Sequence, residues 1–157
     1  MPKIFLAADH AGFALKAELT AFLQERGHTV EDCGAYEEQS DDDYPDFVTP
    51  CAQKVAQTPG SFGIVIGASG QGEAMAANRI PGVRAAVFYG EPATMQTDAE
   101  GASLSMLEST RAHNHANVLS LAARFLTAEE AKTAVERFLG APVSPEERHL
   151  RRIQKLG

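Results

Sequence analysis

The chain has 157 residues, 44% of them hydrophobic, enough for one compact domain with a full core and no sign of disorder. Twenty-one acidic against fourteen basic side chains give a formal net charge of -7, which repels nucleic-acid phosphates and anionic membranes unless the basic residues are concentrated, so neither partner is expected. The opening MPKIFLAADH reaches charge too soon for a secretory signal, no apolar run approaches the roughly 18 residues of a membrane span, and two cysteines without CxxC spacing indicate neither a disulfide framework nor a zinc site.

A soluble, cytoplasmic protein with two small buried thiols is therefore expected. Lys3 to Ala8 is an apolar run of strand length, and Phe13 to Arg26 places Leu15, Leu19, Phe22 and Leu23 on one helical stripe that stops at Gly27. His28 to Cys33 reads as a second strand. After the acidic run Glu37 to Tyr44, which reads as a solvated loop rather than a metal site, Pro45 opens a helix whose Phe47, Val48, Cys51, Ala52 and Val55 share a face. Phe62 to Ile66 is a third strand, Glu73 to Arg79 a short helix, Val83 to Phe88 a fourth strand, Ala102 to Asn114 a helix, and Asn117 to Leu121 a fifth strand. Two more helices follow. Thr127 with Glu130 caps the first, and Ser144, with Pro145 in the first turn and Glu147 completing a capping box, opens a C-terminal helix over about 144–156. Strands alternating with helices, uninterrupted from 1 to 157, imply one domain with a five-stranded parallel sheet covered on both faces.

Ligands of such sheets bind at the carboxyl ends of strands, near a topological switch point. After the first strand comes DHAGF. Asp9 alone reads as an aspartate turn or helix cap, whereas Asp9 beside His10 also suits proton transfer or anion binding. After the third strand comes GASGQGE. No lysine follows its last glycine, so it is not a Walker loop. It also departs from a dinucleotide fingerprint, which follows the first strand and ends in Gly or Ala where this chain has Met75. A receiver domain needs an aspartate where this chain has Gly67. What remains is a nest of N–H donors, the small hydroxyl of Ser69, and Glu73, read equally as a dipole partner or a functional carboxylate. RAHNHAN sets His113 and Asn114 just before the fifth strand. ERHLRRIQK sets Arg148 and Arg152 four apart on one helical face, as a phosphate clamp or a solvated surface.

Together, DHAGF, DYPDF, GASGQGE followed by AANRIPGVRAA, HNHANVLSLAARF and RHLRR resemble, nearly end to end, the ribose-5-phosphate isomerase B family, which includes the galactose-6-phosphate isomerase subunits. The resemblance implies a Rossmann-like three-layer α/β/α sandwich, a homodimer or dimer of dimers with active sites shared between subunits, and no metal or other cofactor. It also implies aldose–ketose isomerisation of a phosphorylated sugar, such as ribose 5-phosphate to ribulose 5-phosphate, through a cis-enediolate. Many members carry a cysteine base at the position of Gly67. This sequence resembles a branch that uses a glutamate at Glu73 instead. The loop amides of Ala68, Gly70, Gln71, Gly72 and Glu73 suit the enediolate oxygen, with Ser69 orienting groups nearby. His113 matches the residue assisting furanose ring opening, with Asp9 as proton partner and Asn114 as a hydrogen-bonding neighbour. His10, Arg148 and Arg152 match phosphate binders, Arg124 is a further candidate, and Tyr44 matches a residue lining the sugar site.

Two departures stand out. The connection Tyr89 to Gly101 is longer than the family pattern by roughly a dozen residues, far more than an ordinary strand-to-helix turn, and Ala122–Ala123–Arg124 replaces Gly-Ala-Arg. A site enlarged by the first would suit a six-carbon substrate such as allose or galactose 6-phosphate, and loss of the cysteine would suit a noncatalytic sugar-phosphate-binding protein. The joint presence of Glu73, His113 and Asp9 argues against the latter.

Overall fold

The computed structural model describes residues 1–157. Its elements are β1 (Lys3–Ala8), α1 (Phe13–Glu25), β2 (Thr29–Asp32), α2 (Pro45–Gln57), β3 (Phe62–Gly67), α3 (Gln71–Ala77), β4 (Ala85–Phe88), β5 (Gln96–Thr97), β6 (Ser103–Leu104), α4 (Met106–Asn114), β7 (Val118–Ala122), α5 (Ala128–Gly140) and α6 (Glu147–Gln154). Five strands form one parallel sheet in the order β2-β1-β3-β7-β4, and β5 and β6 form a separate antiparallel pair.

Alternation within the strands builds the layers. Ile4, Leu6, Ile64, Ile66, Leu119 and Leu121 point to one face, where they pack with Leu19 and Leu23 of α1, Leu107 of α4 and Phe138 of α5. Phe5, Ala7, Val65 and Val118 point to the other, against Val48, Cys51 and Val55 of α2 and Ala77 of α3. The result is a Rossmann-like three-layer α/β/α sandwich. Both cysteines are buried on the α2 side, as their sequence context implies. No helix is long and apolar enough to cross a membrane.

The chain leaves β1 toward β2 on one side and returns to β3 on the other, so the sheet order reverses between β1 and β3. A crevice forms at such a point, beyond the carboxyl ends of these strands. α1 starts close behind it because Gly12 has no side chain. A Cβ there would lie 2.6 Å from Ile66.

Three sequence expectations fail at helix starts. α3 begins at Gln71, not Glu73, directly after the left-handed turn at Gly70. α4 begins at Met106, not Ala102, because Ser105 and Glu108 form a capping box and residues 103–104 belong to the hairpin. α6 begins at Glu147 and ends at Gln154, without a side-chain cap. The Ser144 hydroxyl instead accepts the Glu146 amide at 3.2 Å in a local turn.

Candidate active site

The end of β1 turns at Asp9, whose Oδ1 accepts the Ala11 amide at 2.9 Å. The turn-forming role and burial go together, for Asp9 is only 6% exposed at the crevice. Next to it His10 receives an unexpected partner from the acidic loop. Asp42 Oδ1 accepts both the His10 amide, at 3.0 Å, and Nδ1, at 2.6 Å. Asp42 is thus no solvated loop residue: its side chain is 7% exposed, and its other oxygen, Oδ2, is buried without a partner. The Asp42 hydrogen bond raises the His10 pKa above that of an ordinary imidazole. Burial opposes this, the charge of Asp9 reinforces it, and Arg124 nearby lowers it. Asp9, His10 and Asp42 have ligand-type atoms within 4.8 Å of one another, but the His10–Asp42 bond already joins two of them directly.

This pairing favours the protonated form of His10, which suits it to a phosphate anion. In Asp42→Asn the amide oxygen still accepts from His10 but the charge is gone. The His10 titration followed by NMR is expected to move to lower pH, and inorganic phosphate binding at about pH 7.5 to weaken by about tenfold or more, the worth of a charge-assisted bond. An unmoved titration would remove Asp42 from this role.

β3 ends at Gly67, and the chain reverses through Gly70 at φ 72 into α3. The loop is tied to the sheet. Gly67 O and Ala68 O accept the amides of Ala123 and Arg124 at 2.8 and 3.1 Å, and the buried Ser120 hydroxyl of β7 donates to Gly70 O at 2.6 Å. Ser69 Oγ accepts the Gln71 amide at 3.3 Å, so that N–H is already engaged within the loop. Tyr44 lies over Gly72, where a Cβ would sit 2.6 Å from the phenol oxygen.

Glu73, in the first turn of α3, is 4% exposed. Its carboxylate fills the space in front of Gly67, so completely that a Cβ on Gly67 would fall inside it. Burial raises its pKa, its own backbone N–H lowers it, and the charge of Asp9 raises it further. A carboxylate with a raised pKa, enclosed in a crevice with a second carboxylate, is suited to proton transfer from a weak carbon acid. Asp9, His10, Tyr44, Ala68, Ser69, Gly70, Gln71, Gly72, Glu73 and Arg124 therefore all gather at the carboxyl edge of the sheet.

The remaining predicted residues do not join them within one chain. His113 and Asn114 end α4, and β7 begins at Val118, after residues 115–117. They stand at the amino edge, separated from Arg124 by the five residues of β7, about 17 Å of strand. There His113 stacks on the buried His149 of α6, ring centroids 4.4 Å apart. Burial lowers the His149 pKa, helped by the neighbouring charges of His113, Arg148 and Arg152. Arg148, Arg152, His149 and His113 line one cavity of about 280 Å³ together with residues 96–99 of the hairpin. Asn114 opens onto a different cavity, beside Asn78, Arg84 and Leu156. Sequence reading missed Arg84, whose guanidinium donates to the carbonyls of Asn114 and His115 and so caps α4.

A family model described as ribose/galactose isomerase matches residues 4–156. Ribose-5-phosphate isomerase B of Mycobacterium tuberculosis is 40% identical over 154 residues, covering 98% of this chain and 87% of the relative. The structure of the Thermotoga maritima ribose 5-phosphate isomerase has a TM-score of 0.83 and 38% identity, covering 99% of this chain and 97% of that one. The Mycoplasma genitalium ribose-5-phosphate isomerase B with bound ribulose-5-phosphate has a TM-score of 0.83 and 35% identity, covering 98% and 93%.

Proposed function

The chain belongs to the ribose/galactose isomerase family, and from that premise we propose that it interconverts ribose 5-phosphate and ribulose 5-phosphate, with Glu73 as the base. The observation that carries this reading is the Glu73 carboxylate, buried beside Asp9 with its pKa raised. His113 takes the proton of the anomeric hydroxyl and returns it to the ring oxygen as the C1–O bond breaks, with Asp9 as its partner. Glu73 then removes the proton at C2, negative charge develops on the enediolate oxygen O1 facing the 68–73 loop, the O2 hydroxyl proton passes to O1, and the same carboxyl group delivers its proton to C1.

Because a single chain leaves His113, Arg148 and Arg152 at the far edge from Glu73, the complete site forms between two copies, as a homodimer or a dimer of dimers. One copy supplies Asp9, His10, Ser69, Glu73 and Arg124, and the other supplies His113, Arg148 and Arg152, so that phosphate lies among His10 and the arginines. The hairpin stands against the basic residues and adds a wall there, which favours the five-carbon substrate over allose or galactose 6-phosphate.

Mixing variants tests activity and sharing together. Glu73→Gln and His113→Ala are each expected to be inactive on ribose 5-phosphate. Refolded together at equal concentration, they should recover about a quarter of wild-type activity, because half the dimers are mixed and each mixed dimer has one intact site. No recovery would remove the shared site, and no turnover of ribose 5-phosphate by the unaltered chain would remove the function.

A further inference from the structure

The connection after β4 is the part of the chain that the family pattern leaves unexplained. Its β5–β6 hairpin docks beside α4 and α6 through named contacts. Asp98 closes the turn, its Oδ1 accepting the amides of Glu100 at 3.0 Å and Ala102 at 2.8 Å. The Glu100 carboxylate accepts from the Arg148 guanidinium on α6. On the opposite strand, Gln96 Oε1 accepts the hydroxyl of Ser109, on α4, at 2.8 Å.

That last bond has a chemical consequence one turn along the helix. Ser109 and His113 are four apart and share a face, with Ser109 Oγ 3.4 Å from His113 Nδ1. A serine hydroxyl has one hydrogen. Once that hydrogen is directed to Gln96, the oxygen can only accept, so its bond to His113 requires hydrogen on Nδ1. A neutral imidazole of this kind carries its lone pair on Nε2. Without Gln96, the hydroxyl could rotate and donate to Nδ1, and the opposite tautomer would be supported equally well. The His149 ring, stacked at an interplanar angle of 6°, fixes the plane of the imidazole while Ser109 fixes its hydrogen.

Building on the isomerase reading above, we propose that Gln96 is a positioning residue for His113: acting through Ser109, the inserted hairpin holds the imidazole as the Nδ1–H tautomer, leaving Nε2 as the base for ring opening. The proton of the anomeric hydroxyl moves to Nε2, the electrons of the C1–O bond go to the ring oxygen, and Nε2 returns the proton there. The Nδ1–H bond to Ser109 is kept throughout. The hairpin therefore acts on the step before isomerisation, and Gln96 reaches the reacting proton only through Ser109 and His113.

The test uses the full-length protein labelled with nitrogen-15 at histidine, at about pH 8, where an ordinary imidazole is neutral. His113 is expected to show a protonated Nδ1 and a bare Nε2 in the unaltered chain and in Gln96→Glu, whose carboxylate also accepts from Ser109. A mixture of tautomers is expected in Gln96→Ala and Ser109→Ala. In parallel, kcat/KM for ribose 5-phosphate should fall about fivefold to tenfold in the two alanine variants, the worth of one hydrogen bond, and recover in Gln96→Glu. An unchanged tautomer in Gln96→Ala, or a mixture of tautomers in Gln96→Glu equal to that in Gln96→Ala, would overturn the proposal. If the unaltered chain does not turn over ribose 5-phosphate, the isomerase reading falls, while the nitrogen spectra still decide the role of the hairpin.

Discussion

Glu73→Gln is expected to lower kcat by about a hundred- to ten-thousand-fold, the range for loss of a general base, while substrate binding changes little. The substitution is nearly isosteric and keeps a hydrogen-bonding oxygen, so the buried first turn of α3 stays packed. Only the group able to take a proton is lost. Exchange of the C2 hydrogen with solvent should disappear together with turnover. The pH dependence has a definite sign. The base works ionised, burial raises its pKa, and kcat/KM should therefore fall as pH drops through a value above the ordinary carboxylate range. A variant that kept exchanging the C2 hydrogen, or a wild-type acid limb in the ordinary carboxylate range, would remove Glu73 as the base.

Gly67→Ala is expected to reduce kcat to within about tenfold of Glu73→Gln, because the new methyl group would occupy the position of the Glu73 carboxylate. Gly67 lies at the end of β3, and its backbone does not require a positive φ, so the backbone itself tolerates alanine. The flexible end of Glu73 yields, at a stability cost of about 1 to 3 kcal/mol for an overpacked site. Chemical denaturation and steady-state kinetics separate the two effects. Activity near wild type would show that the carboxylate can work from elsewhere. Gly67→Cys combined with Glu73→Ala offers the converse: with the carboxylate gone, a thiol fits, and activity above that of either single variant is expected.

The layers were legible because buried strands alternate strictly. Ile4, Leu6, Ile64 and Ile66 face one way, and Phe5, Ala7 and Val65 the other. The crevice was legible because its loops follow β1 and β3 directly in sequence, so strand order alone brought Asp9, His10 and Glu73 together. The hairpin was not. Its strands have two residues each, mostly exposed, and too short to show a period. Asp42 sat in a run of acids, and only the fold showed which of them turns inward to His10. Ser120 and Arg84 bond to backbone carbonyls far along the chain, and a sequence carries no signal for such long-range partners. His113 and Asn114 are adjacent in sequence yet open onto separate cavities, because a helix turns each residue to a different side.

The space in front of Gly67 also bears on how such a site could change over generations. One volume serves either a carboxylate reaching back from Glu73 or a side chain growing out of residue 67, and it cannot hold both. On the proposed role of Glu73, a gene exchanging that carboxylate for a thiol at residue 67 has no intermediate in which both groups work side by side. Adding the thiol first dislodges the carboxylate, and removing the carboxylate first leaves the proposed base missing. Residues 67 and 73 can therefore be exchanged only as a pair, because each sets the space left to the other.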